Sequence, residues 1–588
     1  MLCRSHFTVA SLAVKNQDTV RAIISWLTAN DSALARNTMN SELRRKFSVK
    51  SPAGIHYTFS QNLNGIEIYS SQVKVNLDKN GNIRSWFDNT FPEETISSLP
   101  FPDEKVALEV VKRRYPFFRY VKLLKHEKIY FPHINGNGAG IQPVLFELIP
   151  AILITINDSS ENNYELVINE SGNILFENDL NRYLHKKTDS TVTATVFLPD
   201  PLTTAQSSYG SPYIDANDAD IQELNDQRKT VSVNTAFGTD NYFRLESIWV
   251  KIDDFSSPNK APASVSTPSF NFTRSDDFFE DVNVYYHINT FQEHIRSLGF
   301  TNLAAYQVQA DAHALSGQDN SIYSSGQLSF GEGGVDDAED ADVIIHEYGH
   351  AVSESAAPGT LSGIERLSLD EAFGDYLASS YSRSLDEFGW EKVFSWDGHN
   401  EFWPGRWSVS NKCYPDNVTT DYYQFADIWS STVMQIWSAL GRMVTDRLML
   451  QSLYSYSGNM SMTDAARLFL QADTLLYGAA NSDTILDLFI ARGLLGNCSY
   501  SSVPEPVLKK AINPVQLQNP VGENINISFV KYGNYTIEIV SPAGQTLLKT
   551  DFSGQGNHSV HITHIPSGFF ILKISTPDCT QKFKLVKI

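Results

Sequence analysis

Alternation of apolar and polar positions dominates the first third of the chain. Residues 55–87 read IHYTFSQNLNGIEIYSSQVKVNLDKNGNIRSWF, with Val73, Val75 and Leu77 on one face and Lys79-Asn80-Gly81 as a turn into a second strand. This predicts a hairpin. YELVINESGNILF at 164–176 repeats the plan of strand, Gly turn and strand, and a helix-like stretch at 103–117 lies between the two. The first 185 residues therefore predict one or two small α+β units. From 191 to 275, short strand runs such as TVTATVFL and YFRLESIWVKI alternate with Thr-, Ser-, Asp- and Pro-rich loops, which predicts a mostly β region. The period changes at 282–300, where Val284, Ile288, Phe291, Ile295 and Leu298 follow helical spacing and Gly299 closes the run. Helical patterns recur at 341–354, 369–382, 425–442, 463–476 and 483–494. After Pro504 and Pro506 alternation returns in NINISF, YTIEIV, SVHIT, FFILKIS and KFKLVKI, between Gly and Pro turns, predicting a small sandwich over 511–588.

Composition changes this picture in a few places. A chain of 588 residues exceeds one hydrophobic core, so several domains are expected. With 42% hydrophobic, 19% charged and 12% aromatic residues, those domains should be folded and well packed. A net charge of −21, from 67 acidic and 46 basic residues, opposes a phosphate backbone, and no Lys/Arg cluster offsets it, so no nucleic-acid partner is expected. No run of eighteen apolar residues exists to form a transmembrane span. The start, MLCRSHFTVASLAVKNQDTV, carries a basic residue and an apolar patch too short and too polar for a signal peptide, which leaves the true N-terminus open. Cys3, Cys413, Cys498 and Cys579 show no CxxC spacing. Cys413 and Cys498 fall in one predicted domain, either as a disulfide or as two buried thiols.

The chemistry concentrates in His346-Glu347-Tyr348-Gly349-His350. Two His four apart on a helix point from one face and can hold one zinc ion. Glu347 beside them can take a proton from water that the metal has acidified and later pass it to the leaving amine. This is the HExxH arrangement. An HExxH match can arise by chance in a chain with 14 His, so context decides. Catalytic zinc wants a third protein ligand and an open position. The stretch Asp370-Glu371-Ala372-Phe373-Gly374-Asp375 supplies one in Glu371, with Asp375 one turn on to hold a liganding imidazole.

HEYGH followed by DEAFGD resembles the thermolysin and fungalysin superfamily of zinc peptidases. The resemblance implies a thermolysin-like zincin catalytic domain, with a mixed β N-lobe and a helical C-lobe, in which His346, His350 and Glu371 hold one Zn2+ and Glu347 is the base. Asp319-Asn320-Ser321-Ile322-Tyr323 resembles the family's edge strand, so Asn320 and Ser321 would bind peptide backbone. Arg406, in PGRWSVS, sits where the family carries an Arg that contacts the substrate carbonyl. Aligned on Trp429, Tyr423 takes the place of the family's oxyanion-binding His; Tyr422 and His399 are the alternative donors, with Tyr423 then a packing aromatic. The acidic run Asp336 to Asp342 either stabilises the positive end of the metal helix or binds Ca2+, for which the family uses an Asp at the place of Asp342.

The outer segments resemble family parts too. HYTFSQNLNGIEIYSSQVKVNLDKNGNI is similar to the fungalysin and thermolysin propeptide domain, and YELVINESGNILFENDL to the accompanying inhibitory module. The C-terminal stretch, with NPV at Asn513, Ile525 to Phe529, Gly544-Gln545 and PSGFFILKI, resembles the sorting domain of type IX secretion cargo. That implies a Bacteroidetes-type bacterium and a secreted or cell-surface protein handled by the type IX machinery; a spacer or carbohydrate-binding sandwich is the alternative.

The expected fold is thus α+β and multidomain: a leader segment at 1–45, a propeptide domain at 46–98, a second propeptide module at 99–187, a mostly β lead-in at 188–275, the catalytic domain at 276–500 and a C-terminal β-sandwich at 511–588. The expected function is a secreted zinc metalloendopeptidase made as a zymogen, with its own propeptide as inhibitor and proteins or peptides as substrates. Cutting is expected between 185 and 200, in LHKKTDSTVT. A zinc aminopeptidase should show an amine-binding acidic motif upstream of the metal helix, and none is evident. A surface binding protein on an inactive peptidase fold has no need to keep three ligands and Glu347.

Overall fold

A computed structural model describes residues 3–11, 19–91, 96–97, 99–114, 122–135, 145–157, 163–179, 189–498, 514–515, 523–541, 546–565, 568–575 and 580–587. The chain divides into two compact units, 1–500 and 501–588.

The predicted hairpin is formed by Ile66–Asp78 and Asn82–Asn89. Asp78 Oδ1 accepts the N–H groups of Asn80 and Asn82, each at 2.9 Å, and Gly81 takes φ +79° between them. The hairpin lies within one nine-stranded sheet. Arg4–Ser11 pairs with Asn82–Asn89, and Gly54–Leu63 and Ser41–Ser51 extend the sheet from Ile66–Asp78. A short parallel pairing, Glu67 to Ile129 and Ile68 to Tyr130, joins Lys122–Asn135 to the same strand. Leu145–Asn157 follows, and then the second predicted hairpin, Asn163–Asn169 with Ile174–Asp179. The two hairpin segments therefore share one sheet. Val73, Val75 and Leu77 pack beneath the helix Thr19–Asn30, against Ile23 and Leu27. The helix Glu104–Arg114 covers the other end through Ala107, Val110 and Val111.

The opposite face of Ile66–Asp78 is polar yet buried. Gln72, Lys74 and Asn76 are each under 8% exposed. They face the helical half of the same unit, and hydrogen bonds cross the contact: Asn89 Nδ2 donates to Gly458 O at 2.8 Å, Gln451 Nε2 to Ser51 Oγ at 3.0 Å, and His56 stacks on Tyr454. Alternation thus fixes the apolar face, while the polar face is covered because its groups find partners.

Residues 189–270 supply a five-stranded sheet with Lys229–Phe237 at its centre. A four-stranded sheet follows, in the order Val250–Ile252, Val308–Asp311, Gln327–Phe330, Ser321–Ser324, which leaves Ser321–Ser324 at an edge. Beyond these sheets lie the helices Phe278–Ser297, Ala341–Ala356, Ile364–Leu385, Ala426–Leu440, Arg442–Leu453, Met462–Tyr477 and Ser482–Ala491, and a two-stranded sheet of Lys392–Val393 with Arg406–Trp407. Gly441, at φ +82°, ends one helix and starts the next, so the predicted helix at 425–442 is followed by one that the spacing did not reveal. The helices Ala341–Ala356 and Ile364–Leu385 meet at Gly349 and Gly374; a Cβ on Gly374 would sit 2.6 Å from His346 Nδ1. Cys413 and Cys498 form a disulfide, with Cα atoms 5.9 Å apart. No helix among the described residues is long and apolar enough to cross a membrane.

In the second unit Pro514–Val515, Asn524–Val540, Thr546–His561, Gly568–Ser575 and Thr580–Lys587 join into one antiparallel five-stranded sheet around Ile525, Ile537, Leu572 and Ile574, where a two-sheet sandwich was expected. Residues 180–188, which include the start of the expected cleavage stretch, and Gly544-Gln545 lie outside the described residues.

Candidate metal centre

The helix that carries HEYGH is fastened at its start. Asp340 is the N-cap and accepts the Asp342 N–H at 2.8 Å; its other oxygen accepts the N–H groups of Trp396 and Asp397. Asp342 accepts from Phe394 N–H and from Ser382 Oγ, and Glu339 binds the buried Arg274 and the Trp396 indole. These three acids of the run thus cap the helix and pin the 393–397 loop with protein donors, at the helix end where negative charge is favourable.

His346 and His350 turn their Nε2 atoms toward Glu371, which Ile364–Leu385 carries across from them. His346 Nε2 is 3.4 Å from Glu371 Oε2 and His350 Nε2 is 3.8 Å from Oε1. One donor atom from each of the three residues lies within 4.8 Å of the others, a set that can hold a metal ion. The outward nitrogens are also engaged. His350 Nδ1 is 2.7 Å from Asp370 Oδ2, a hydrogen bond, and His346 Nδ1 is 3.0 Å from Asp375 Oδ1, a charge contact without hydrogen-bond alignment. Asp370 is held in turn by Ser353 and by Arg366, whose side chain is fully buried. Asp370 was not singled out by the motif. Its signals were its place beside Glu371 and the i, i+4 pair with Arg366.

Electrostatics favour positive charge between these groups. Burial opposes protonation of His346, but Asp375 and Glu371 overcome it and raise its pKa to about 10. Burial pushes Glu371 upward, yet His346, His350 and Arg406 bring it down to about 2. A metal ion takes the same electron pairs that otherwise hold protons.

These residues open onto a cavity of about 700 Å3. Glu347, Asn320, Ser321, Arg406, Tyr422 and Tyr423 all line it. Ser321 Oγ donates to Asp337. Arg406 is bonded to carboxylates, 3.1 Å from Glu371 Oε2 and 2.9 Å from Asp375 Oδ1, with its guanidinium 5.3 Å from the centre of the Tyr423 ring. Tyr423 is half exposed and packs on Tyr422. His399 does not line the cavity; its Nε2 faces the carbonyls of Val393 and Arg406.

Residues 41–90 match the Fungalysin/Thermolysin Propeptide Motif, and residues 519–588 match the Secretion system C-terminal sorting domain. Over 544 residues the chain is 21% identical to the extracellular metalloproteinase mep of Aspergillus niger, covering 76% of this chain and 83% of that protein. The chain thus resembles a thermolysin-like metalloprotease precursor. An extracellular metalloproteinase of Pyricularia oryzae is 20% identical over 316 residues, 42% of this chain and 48% of that protein. Among solved structures, the protealysin precursor from Serratia proteamaculans aligns with 45% of this chain and 90% of its own, at 13% identity and a TM-score of 0.36.

Proposed function

We propose that residues 188–500 are a secreted zinc metalloendopeptidase, released from a prosegment spanning residues 46–187 by cutting between 185 and 200. The observation that carries this reading is the convergence of two imidazole Nε2 atoms and one carboxylate beside Glu347, in a cavity bordered by an edge strand. Two imidazoles and a carboxylate, with further carboxylates behind the rings, fit zinc. Bound there, zinc supplies a Lewis acid that polarises the scissile carbonyl and acidifies water.

The chain's own residues do the rest. Asp370 and Asp375 hold the two imidazoles by their Nδ1 atoms, which points each Nε2 at the metal position. The Glu347 carboxylate takes the proton from the attacking water and returns it to the leaving amine. Asn320 and Ser321 offer hydrogen bonds to an extended substrate backbone lying along the edge strand. Burial and the Tyr422 neighbour push the Tyr423 phenol upward, so it stays protonated at neutral pH as a donor toward the developing oxyanion. The sorting-domain match supports delivery to the surface, which we assign to the type IX machinery of a Bacteroidetes-type bacterium.

The test is metal content together with cleavage of an unstructured protein such as casein. Glu347→Gln should keep its zinc and lose hydrolysis, whereas His350→Ala and Glu371→Ala should lose both. Turnover by Glu347→Gln, or full zinc in either ligand variant, refutes the assignment.

A further inference from the structure

Three carboxylates in the cavity wall take no part in that chemistry. Asp319, Asp337 and Asp397 bring one oxygen each within 4.8 Å of one another, and all three line the same cavity as His346 and Glu347. They arrive from separate segments: the residue before Asn320, the turn ahead of the HEYGH helix, and the loop pinned by Asp340. Asp319 is exposed, while Asp337 and Asp397 are 3% and 4% exposed, so the cluster runs from the mouth inward.

Each buried member is half satisfied. Asp337 accepts from Ser321 Oγ through Oδ2, and Asp397 Oδ2 accepts the Trp403 indole N–H at 3.0 Å. Oδ1 of both is buried without a hydrogen-bond partner. Elsewhere in this acidic region Glu339, Asp340 and Asp342 are matched by protein donors. Among the described residues lining the cavity, Arg406 is the only Lys or Arg, and it is bonded to Glu371 and Asp375. A buried carboxylate with one oxygen unsatisfied and no counter-charge is costly, so two of them beside a substrate cavity call for a cation from outside.

We propose that Asp319, Asp337 and Asp397 form a specificity pocket that receives the ammonium or guanidinium of a substrate Lys or Arg adjoining the scissile bond. This rests on the peptidase reading above. A side chain fits better than a free metal ion. A hard cation wants six or more oxygens, yet Asp337 and Asp397 each have only one oxygen unengaged. Val343, Phe394 and Trp403 line the same cavity and suit the alkyl stem of a Lys or Arg, which buries its methylenes while its head reaches the acids. The Ser321–Asp337 hydrogen bond ties the pocket to the edge strand, so a side chain from a peptide on that strand is within reach. Burial and neighbouring acids push both carboxyls well above the usual range, a state that an incoming cation reverses.

The experiment uses the processed zinc enzyme and peptides that differ in one residue on either side of the scissile bond: Lys, Arg, Leu or Glu. The expected result is that kcat/KM for Lys or Arg exceeds that for Leu at one of these positions by roughly 100-fold. In Asp337→Asn/Asp397→Asn the ratio should fall toward one, with each single variant intermediate. A zinc-loaded Glu347→Gln protein should bind the Lys peptide more tightly than the Leu peptide, which reads the pocket without turnover. Binding preference without any cleavage by the parent would sink the peptidase reading and leave the pocket standing. An active parent indifferent to charge, or a preference that survives in the double variant, overturns the pocket. Tight calcium binding by the parent that is lost in the double variant overturns it in favour of a metal site.

Discussion

Replacing Asp370 by Asn tests how far the zinc reading depends on the residues behind the ligands. Asp370 sits at a junction. One oxygen holds His350 Nδ1 at 2.7 Å, and the other accepts from Ser353 and from Arg366 Nη1 at 3.0 Å. Asn keeps the shape and one acceptor but removes the charge. Loss of a partner behind a liganding imidazole weakens metal binding by about 10- to 100-fold, or about 1.4 to 2.8 kcal/mol. Fold stability falls for a separate reason, since Arg366 is fully buried and loses its counter-charge. Removing one partner of a buried pair costs about 3–5 kcal/mol, and the amide oxygen left by Asn places this variant toward the lower end. The two effects separate in a cycle with Arg366→Met. The double variant should regain part of the melting temperature, because no unpaired charge remains, but none of the zinc affinity. Chelator competition measures the affinity and thermal melts with and without zinc measure the stability. Asp370→Asn with parental zinc affinity and melting temperature would show that the imidazole does not depend on this carboxylate.

Tyr423→Phe should lower kcat by roughly two to three orders of magnitude with little change in zinc content, as expected for one oxyanion donor; a parental rate rules Tyr423 out and makes Tyr422 the next residue to test. His56, buried between Asn76 and Ser51, is held at about pH 3 by desolvation, against 6.5 unfolded. Its contribution is therefore complete above pH 6.5 and lost as pH falls toward 3, at no more than about 1.4 kcal/mol per pH unit. Melts of the precursor between pH 7 and 4 should show this slope, and His56→Gln should flatten it; an unchanged slope refutes the assignment. Removing residues 501–588, a separate compact unit with its own core, should leave zinc binding, activity and melting of residues 1–500 intact while abolishing surface delivery; lost activity in a folded truncation contradicts this.

The parts of this molecule legible in the sequence are those whose physics is local. Period-two alternation marked Val73, Val75 and Leu77, and helical spacing marked Val284, Ile288, Phe291 and Ile295, because each set packs one face against a core. The spacing of His346 and His350, and of Glu371 and Asp375, needed only a helix to place each pair on one side. What escaped was non-local. Gln72, Lys74 and Asn76 have the composition of a solvated face and are buried because the helical half of the unit covers them: Gln72 bonds Gly359 there, Asn76 is satisfied within the sheet by His56 and Ser85, and Lys74 lies near Arg366. The helix Arg442–Leu453 escaped because it buries Thr445, Asp446, Gln451 and Ser452 beside its apolar residues, so no apolar stripe marks it. Asp319, Asp337 and Asp397 gather from positions tens of residues apart, and Asp337 read as one acid among several in a run serving a helix end.

The contact between the N-terminal sheet and the helical half mixes polar and apolar groups. Hydrogen bonds between polar groups cross it, from Asn89 to Gly458, Gln451 to Ser51, Ala53 N–H to Gln451 Oε1 and Gln72 to Gly359, and apolar groups cross it too, with Phe87 buried in the core of the helical half and His56 stacked on Tyr454. Water replaces the hydrogen bonds at small net cost, whereas freeing Phe87 exposes apolar surface. Lys74 adds a term of the opposite sign. It is 2% exposed, and burial together with the like charge of Arg366 lowers its pKa to about 7. Because that value lies below the ordinary 10.5, the penalty for burying Lys74 is absent above pH 10.5 and grows as pH falls toward 7. The residue it repels is the one that steadies Asp370, and through Asp370 the liganding His350. If the N-terminal sheet departs as proposed, a repulsion on Arg366 is removed while its pairing with Asp370 stays in place, so the proposed metal site would not depend on the segment cut away.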